Sequence, residues 1–139
     1  MDFSQFDTRK NSEEGVWCPI YSPDGTLQVA EFKLAGRDSK ILKRRQQEIA
    51  KRNQGKKKIT AAEEEQDTYI TLALCTLDWR MVEEDDKGNI KAAKKSVLIE
   101  GGTEIPCNYE NAKEFYERWQ YVAEQAIEYI ADRSYFLSN

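Results

Sequence analysis

At 139 residues, with 40% hydrophobic and 33% charged side chains, the chain has the length of one domain and the composition of a modest core under much solvated surface. Net charge is −4, histidine is absent, and the three cysteines (Cys18, Cys75, Cys107) are widely spaced with no Cys-x-x-Cys pair. This removes histidine triads and most zinc sites, and it reads as a reduced protein without a disulfide framework.

Residues 1–14 are polar with no clear period and read as a flexible N-terminal arm; they have neither the basic nor the apolar region of a signal peptide. Residues 15–35 read as a β-hairpin. Val16, Trp17, Cys18, Ile20 and Tyr21 favour a strand, and Ser22-Pro23-Asp24-Gly25 is a strong turn. The return strand, Leu27 to Leu34, alternates apolar and polar, with a switch of sides near Phe32 that a bulge would account for. Asp38 or Ser39 then caps a helix over 38–53 whose apolar positions, Ile41, Leu42, Ile49 and Ala50, form only a narrow stripe. Residues 54–59 read as a linker.

The capping box Thr60-Ala61-Ala62-Glu63 opens another helix. Tyr69, Ile70, Ala73, Leu74 and Leu77 recur in it at spacings of three and four, and it is expected to end near Asp78-Trp79. Residues 79–106 look irregular: an acidic turn from Glu83 to Asn89, a short-strand candidate at 97–99, and a break at Gly101-Gly102. Asn108 caps the strongest helical pattern, carried by Phe115, Trp119, Val122, Ala126, Tyr129 and Ile130. It spans 109–133 as one helix, or as two with a bend near Trp119-Gln120, the bend being favoured. The expected fold class is α+β: an N-terminal β-hairpin followed by a mainly α-helical body, with 15–137 as one domain and 60–137 as its mainly helical part. No apolar run approaches the length of a membrane span, so no membrane partner is expected.

Charge is segregated. Residues 33–58 carry eleven Lys/Arg against two acids, +9, which leaves −13 on the rest. A solvated helix with a disordered linker is the first reading of that segment, a basic surface for a protein partner the second, and nucleic acid the third. Base-stacking aromatics are not interleaved with it, and no helix-turn-helix or RNP pattern accompanies it. Gly101-Gly102 lacks the following Gly-Lys-Ser/Thr of a phosphate loop, and the acids at 83–86 lack the ligand spacing of a calcium loop. No cofactor, metal site or catalytic constellation is expected. The C-terminal third is rich in aromatics, and Tyr116 and Tyr121 lie off the main helical stripe, which leaves apolar surface for a partner. Candidate protein-contact residues are Trp79, Tyr116, Trp119, Tyr121, Arg133 and Phe136.

Four stretches, in order, resemble the tail assembly chaperones of long-tailed phages and prophages. They are the Pro-Asp-Gly hairpin followed by Gly36-Arg37-Asp38-Ser39-Lys40, the helix closing on Cys75-Thr76-Leu77-Asp78-Trp79, Gly102 to Ala112 with its loop proline and Glu110-Asn111-Ala112, and Ile130 to Leu137 with its Asp-Arg-x-x-Phe pattern. They span about residues 15–137, and residues 81–95 are longer here than is usual in the family. The resemblance implies a non-enzymatic protein of the host cytoplasm that binds the tape-measure protein, keeps its helical apolar surface soluble and helps recruit tail-tube subunits. It leaves a homo-oligomer open. The rival readings are a structural virion component, such as a head-tail connector or minor tail protein, and a nucleic-acid-binding regulator acting through residues 33–58.

Overall fold

Side-chain alternation in the first hairpin decides where the core lies. The computed structural model describes residues 2–137. Strands β1 (Val16–Tyr21) and β2 (Gln28–Leu34) pair antiparallel, with Cys18 opposite Phe32 and Ile20 opposite Ala30. These four and Leu34 point inward and are buried. Ala30, Phe32 and Leu34 alternate without interruption, so the bulge expected near Phe32 lies earlier in the return strand, at Val29, which has no partner on β1. A second register shift, opposite Lys33 and Leu34, leaves Leu77 of the next strand unpaired.

The expected mainly helical body is contradicted. Strand β3 (Thr76–Glu84) pairs with β2, placing Trp79 opposite Phe32, and β4 (Ile90–Ala92) pairs with β3. Together they make a curled four-stranded half-barrel in the order β1-β2-β3-β4. Strands β5 (Val97–Glu100) and β6 (Thr103–Pro106) form a separate hairpin. Gly101 and Gly102 close it with positive φ at both positions, the twist that a two-residue hairpin loop needs. The fold is therefore mixed α/β, with two antiparallel sheets and five helices among the described residues.

Helices α2 (Lys40–Arg52) and α3 (Ala61–Cys75) begin at the side-chain caps Ser39 and Thr60. Helix α3 stops at Cys75 rather than near Trp79. The Thr76 hydroxyl donates back to the Leu72 carbonyl at 2.7 Å and lies 2.7 Å from the Tyr116 hydroxyl, so the chain leaves the helix straight into β3. Helices α4 (Tyr109–Arg118) and α5 (Gln120–Ala131) are separated at Trp119, whose φ of −110° and ψ of 77° break the helical path. They complete the layer on the inner face of the sheet.

The segment read as a loose arm holds helix α1 (Arg9–Glu14), whose Ser12 is buried; Met1 lies outside the described residues. Helix α1 meets a C-terminal 3-10 turn, Arg133–Phe136, and both close on the loop before α2. Arg133 donates to both Asp38 carboxylate oxygens at 2.9 and 3.0 Å, and the Thr8 hydroxyl donates to the same carboxylate. Phe136 fills the space over Gly36. A Cβ added at Gly36 would stand 2.8 Å from the Phe136 ring and 2.5 Å from Ser12 Oγ. Gly36→Ala is therefore expected to cost about 1–3 kcal/mol by overpacking, read as a lower urea midpoint with an unchanged slope.

The same latch gives a pH dependence. Hydrogen bonds from Arg133 and then Thr8 hold the Asp38 carboxyl down at about 2, against an ordinary 3.8. A carboxyl depressed by folding contributes stability above its unfolded value and loses it as pH falls through the folded one. The C-terminal turn is thus expected to loosen between about pH 4 and 2, seen as NMR shifts of the Phe136 ring, and Asp38→Asn is expected to flatten that step.

Candidate protein-binding surface

The six residues singled out from sequence divide between core and surface. Trp79, Tyr116 and Phe136 have no exposed surface, so they serve packing and are not available to a partner. Trp79 lies 5.4 Å from Phe32 and 5.5 Å from Phe115 between ring centroids, and its indole N–H donates to the Ile105 carbonyl at 2.9 Å. Tyr116, expected on an outer face, is enclosed because α4 is covered by α3 as well as by the sheet. Arg133 is exposed but engaged by Asp38. Trp119 and Tyr121 remain half-buried, edge to face at 6.4 Å. They line a small apolar mouth of about 210 Å³ with Met81, Ile99 and Val29, where the sheet, the β5–β6 hairpin and the α4–α5 bend meet.

A larger opening lies on the other side of α5. Helices α2, α3 and α5 enclose a groove of about 480 Å³ with an apolar floor of Leu42, Ile49, Leu72, Ile127 and Ile130. Its rim is polar: Arg37, Gln46, Thr68 and Thr71. The narrow stripe of α2 supplies one wall. That wall is held by Asp67 of α3, which accepts from Arg45 at 2.9 Å and from Arg52. Thr71 accepts a further bond from Arg45 at 3.2 Å. The groove continues past Ile127 into a smaller trough of about 160 Å³ beside Tyr69, Gln120 and Ala123. Along α5, twelve residues long, this seam runs about 18 Å, or about three helical turns. Ile127 is 43% exposed in the middle of it.

Ile127 and Ile49 line this groove and are absent from the candidate residues read from sequence. Ile49 was visible as part of a stripe too narrow to bury α2 fully. Ile127 follows Ala123 by four and precedes Ile130 by three, so it lies beside the main stripe, and only the packing of α2 and α3 against α5 shows that it stays open.

The chemistry of the surface is that of packing and hydrogen bonding. Burial pushes the thiols of Cys18, Cys75 and Cys107 up to about 12, so none is a thiolate at neutral pH. Among the described residues, no group of three or more Cys, Asp or Glu is placed to hold a metal ion, and no helix is long and apolar enough to cross a membrane. The basic residues of α2 not committed to Asp67, among them Lys40, Lys43, Arg44 and Lys51, are exposed. The four stretches that carry the phage-chaperone resemblance meet in part: Gly36–Ser39 and Asp132–Phe136 are the two halves of the C-terminal latch. The second stretch departs from the family pattern as read, since Trp79 sits on a strand and not at a helix end. Comparison with protein-family models, curated proteins and solved structures finds no match.

Proposed function

We propose that this protein is a non-enzymatic assembly chaperone of the long-tailed phage type, which shields an amphipathic helix of the tape-measure protein and helps recruit tail-tube subunits. The observation that carries this reading is the open apolar seam between α2, α3 and α5, whose floor and polar rim suit the apolar face of a helix. The four-stretch resemblance supplies the identity of that helix. An open, rim-polar groove binds without enclosing its client, so displacement by a tighter-binding tube subunit releases it without a nucleotide.

A groove-floor substitution tests the reading. Ile127→Glu places a carboxylate where an apolar helix face would lie, on a residue already partly in water. Capture of the co-expressed tape-measure protein is expected to fall at least about tenfold, with thermal stability within about 0.5 kcal/mol of the parent. Undiminished capture would remove the groove from the account.

A further inference from the structure

The hairpin turn and the last turn of α5 bound an open cleft of about 840 Å³ that the proposed client groove does not use; the two meet only at Ala131. Its walls are tyrosines. The Tyr129 and Tyr135 rings stand at 84° to each other, with centroids 4.7 Å apart, and Tyr21 faces the same space. These walls are held in place. The Tyr129 hydroxyl donates to the Pro19 carbonyl at 2.7 Å, and Gln125 bonds both backbone groups of Tyr21, accepting at 2.8 Å and donating at 2.9 Å. Tyr21 and Tyr135 nevertheless keep 37% and 48% of their surface open.

The charge at the rim has one sign. Glu128 and Asp132 lie four residues apart, so they project from the same side of the helix end, and both line the cleft. Like charges at that spacing repel, and among the described residues neither is ion-paired to a Lys or Arg. Asp132 is kept ionised by the Ser134 hydroxyl and backbone N–H groups. A cation entering the cleft lies against the tyrosine rings and relieves that repulsion. The fold already shows the pairing elsewhere, where the Arg80 guanidinium lies 3.6 Å over the Trp17 ring.

We propose that this cleft is a second binding site, a preorganised tyrosine-walled seat for the side chain of an arginine or lysine on a partner protein. A protein side chain fits better than a free ammonium ion. The cleft is much larger than one cationic head, and its aromatic walls give the aliphatic stem a surface to lie on. Because the walls are fixed beforehand, little ordering is lost on binding.

The test needs no phage component, so it stands or falls separately from the chaperone reading. The whole protein is titrated by NMR with acetylated, amidated alanine-leucine peptides carrying one central arginine, lysine or citrulline. Saturable shifts of the Tyr129 and Tyr135 rings are expected with arginine and lysine, and binding at least about fivefold weaker with neutral citrulline. Tyr135→Leu and Glu128→Gln are each expected to weaken the arginine peptide by about fivefold while thermal melts stay unchanged. Three results would overturn the proposal: equal binding of citrulline, a response indifferent to both substitutions, or shifts that track the acidic Glu83–Asp86 turn instead. Tetramethylammonium binding as tightly as the arginine peptide would overturn the assignment to a protein side chain.

Discussion

Trp79→Ala is expected to remove about 3–5 kcal/mol, a large share of the stability of a domain this size. The residue has no exposed surface and joins three parts of the fold. On β3 it faces Phe32 across the ladder, on the helical side it packs on Phe115, and its indole N–H holds Ile105 of β6. Truncation leaves a cavity the size of an indole and an unpaired backbone carbonyl, and these costs add. Trp79→Phe separates them. It keeps most of the ring contact but drops the hydrogen bond, so a smaller loss of about 1–2 kcal/mol is expected, with faster amide exchange concentrated in β5 and β6. Equilibrium urea unfolding of both variants checks this. Reduced partner binding with unchanged stability would instead return Trp79 to the interface role expected from sequence.

Asp67→Ala is expected to cost about 3 kcal/mol and to release α2 from α3. The Asp67 and Arg45 side chains are only 12% and 10% exposed, so removing the carboxylate leaves a guanidinium that water cannot fully reach with only the Thr71 hydroxyl at 3.2 Å and the Glu48 carboxylate at 3.8 Å as partners. Hydrogen bonds from Arg52, the larger effect, and the charges of both arginines hold the Asp67 carboxyl below the usual carboxylate range. Its contribution is therefore present above about pH 4 and lost as pH falls below that. Arg52→Ala is expected to cost no more than about 1 kcal/mol, because that side chain is 44% exposed and screened. Since α2 forms one wall of the groove, Asp67→Ala is also expected to abolish client capture. Ile127→Glu is expected to weaken capture at least about tenfold without destabilising, and the contrast separates loss of the wall from loss of the floor.

Local chemistry was the most legible part of the fold. The Pro-Asp-Gly turn, the Ser39, Thr60 and Asn108 caps and the bend at Trp119 are each set by one or two residues and stand where the sequence puts them. The sheet beyond the first hairpin was not legible. In Thr76–Val82 the alternation Leu77, Trp79, Met81 is strand-like, yet Leu77 also completes the three-and-four spacing of α3, so two periods compete over the same residues. Only pairing with β2, distant in sequence, decides between them. Burial of the aromatics failed for the same reason. A stripe predicts one buried face, whereas α4 is covered on two sides, and Tyr116 is core where the stripe left it outside. Trp79, Tyr116 and Phe136, read from sequence as contact candidates, are therefore core, and the open apolar surface lies instead around residues such as Ile127.

The reading as an assembly chaperone is most directly tested by following the protein through tail assembly in its own phage. Extracts taken before tail completion and purified particles are compared by affinity capture and quantitative mass spectrometry. The account predicts capture of the tape-measure protein from the extracts and no copies in the particles. A fixed number of copies per particle would contradict it and make the protein a structural component of the virion.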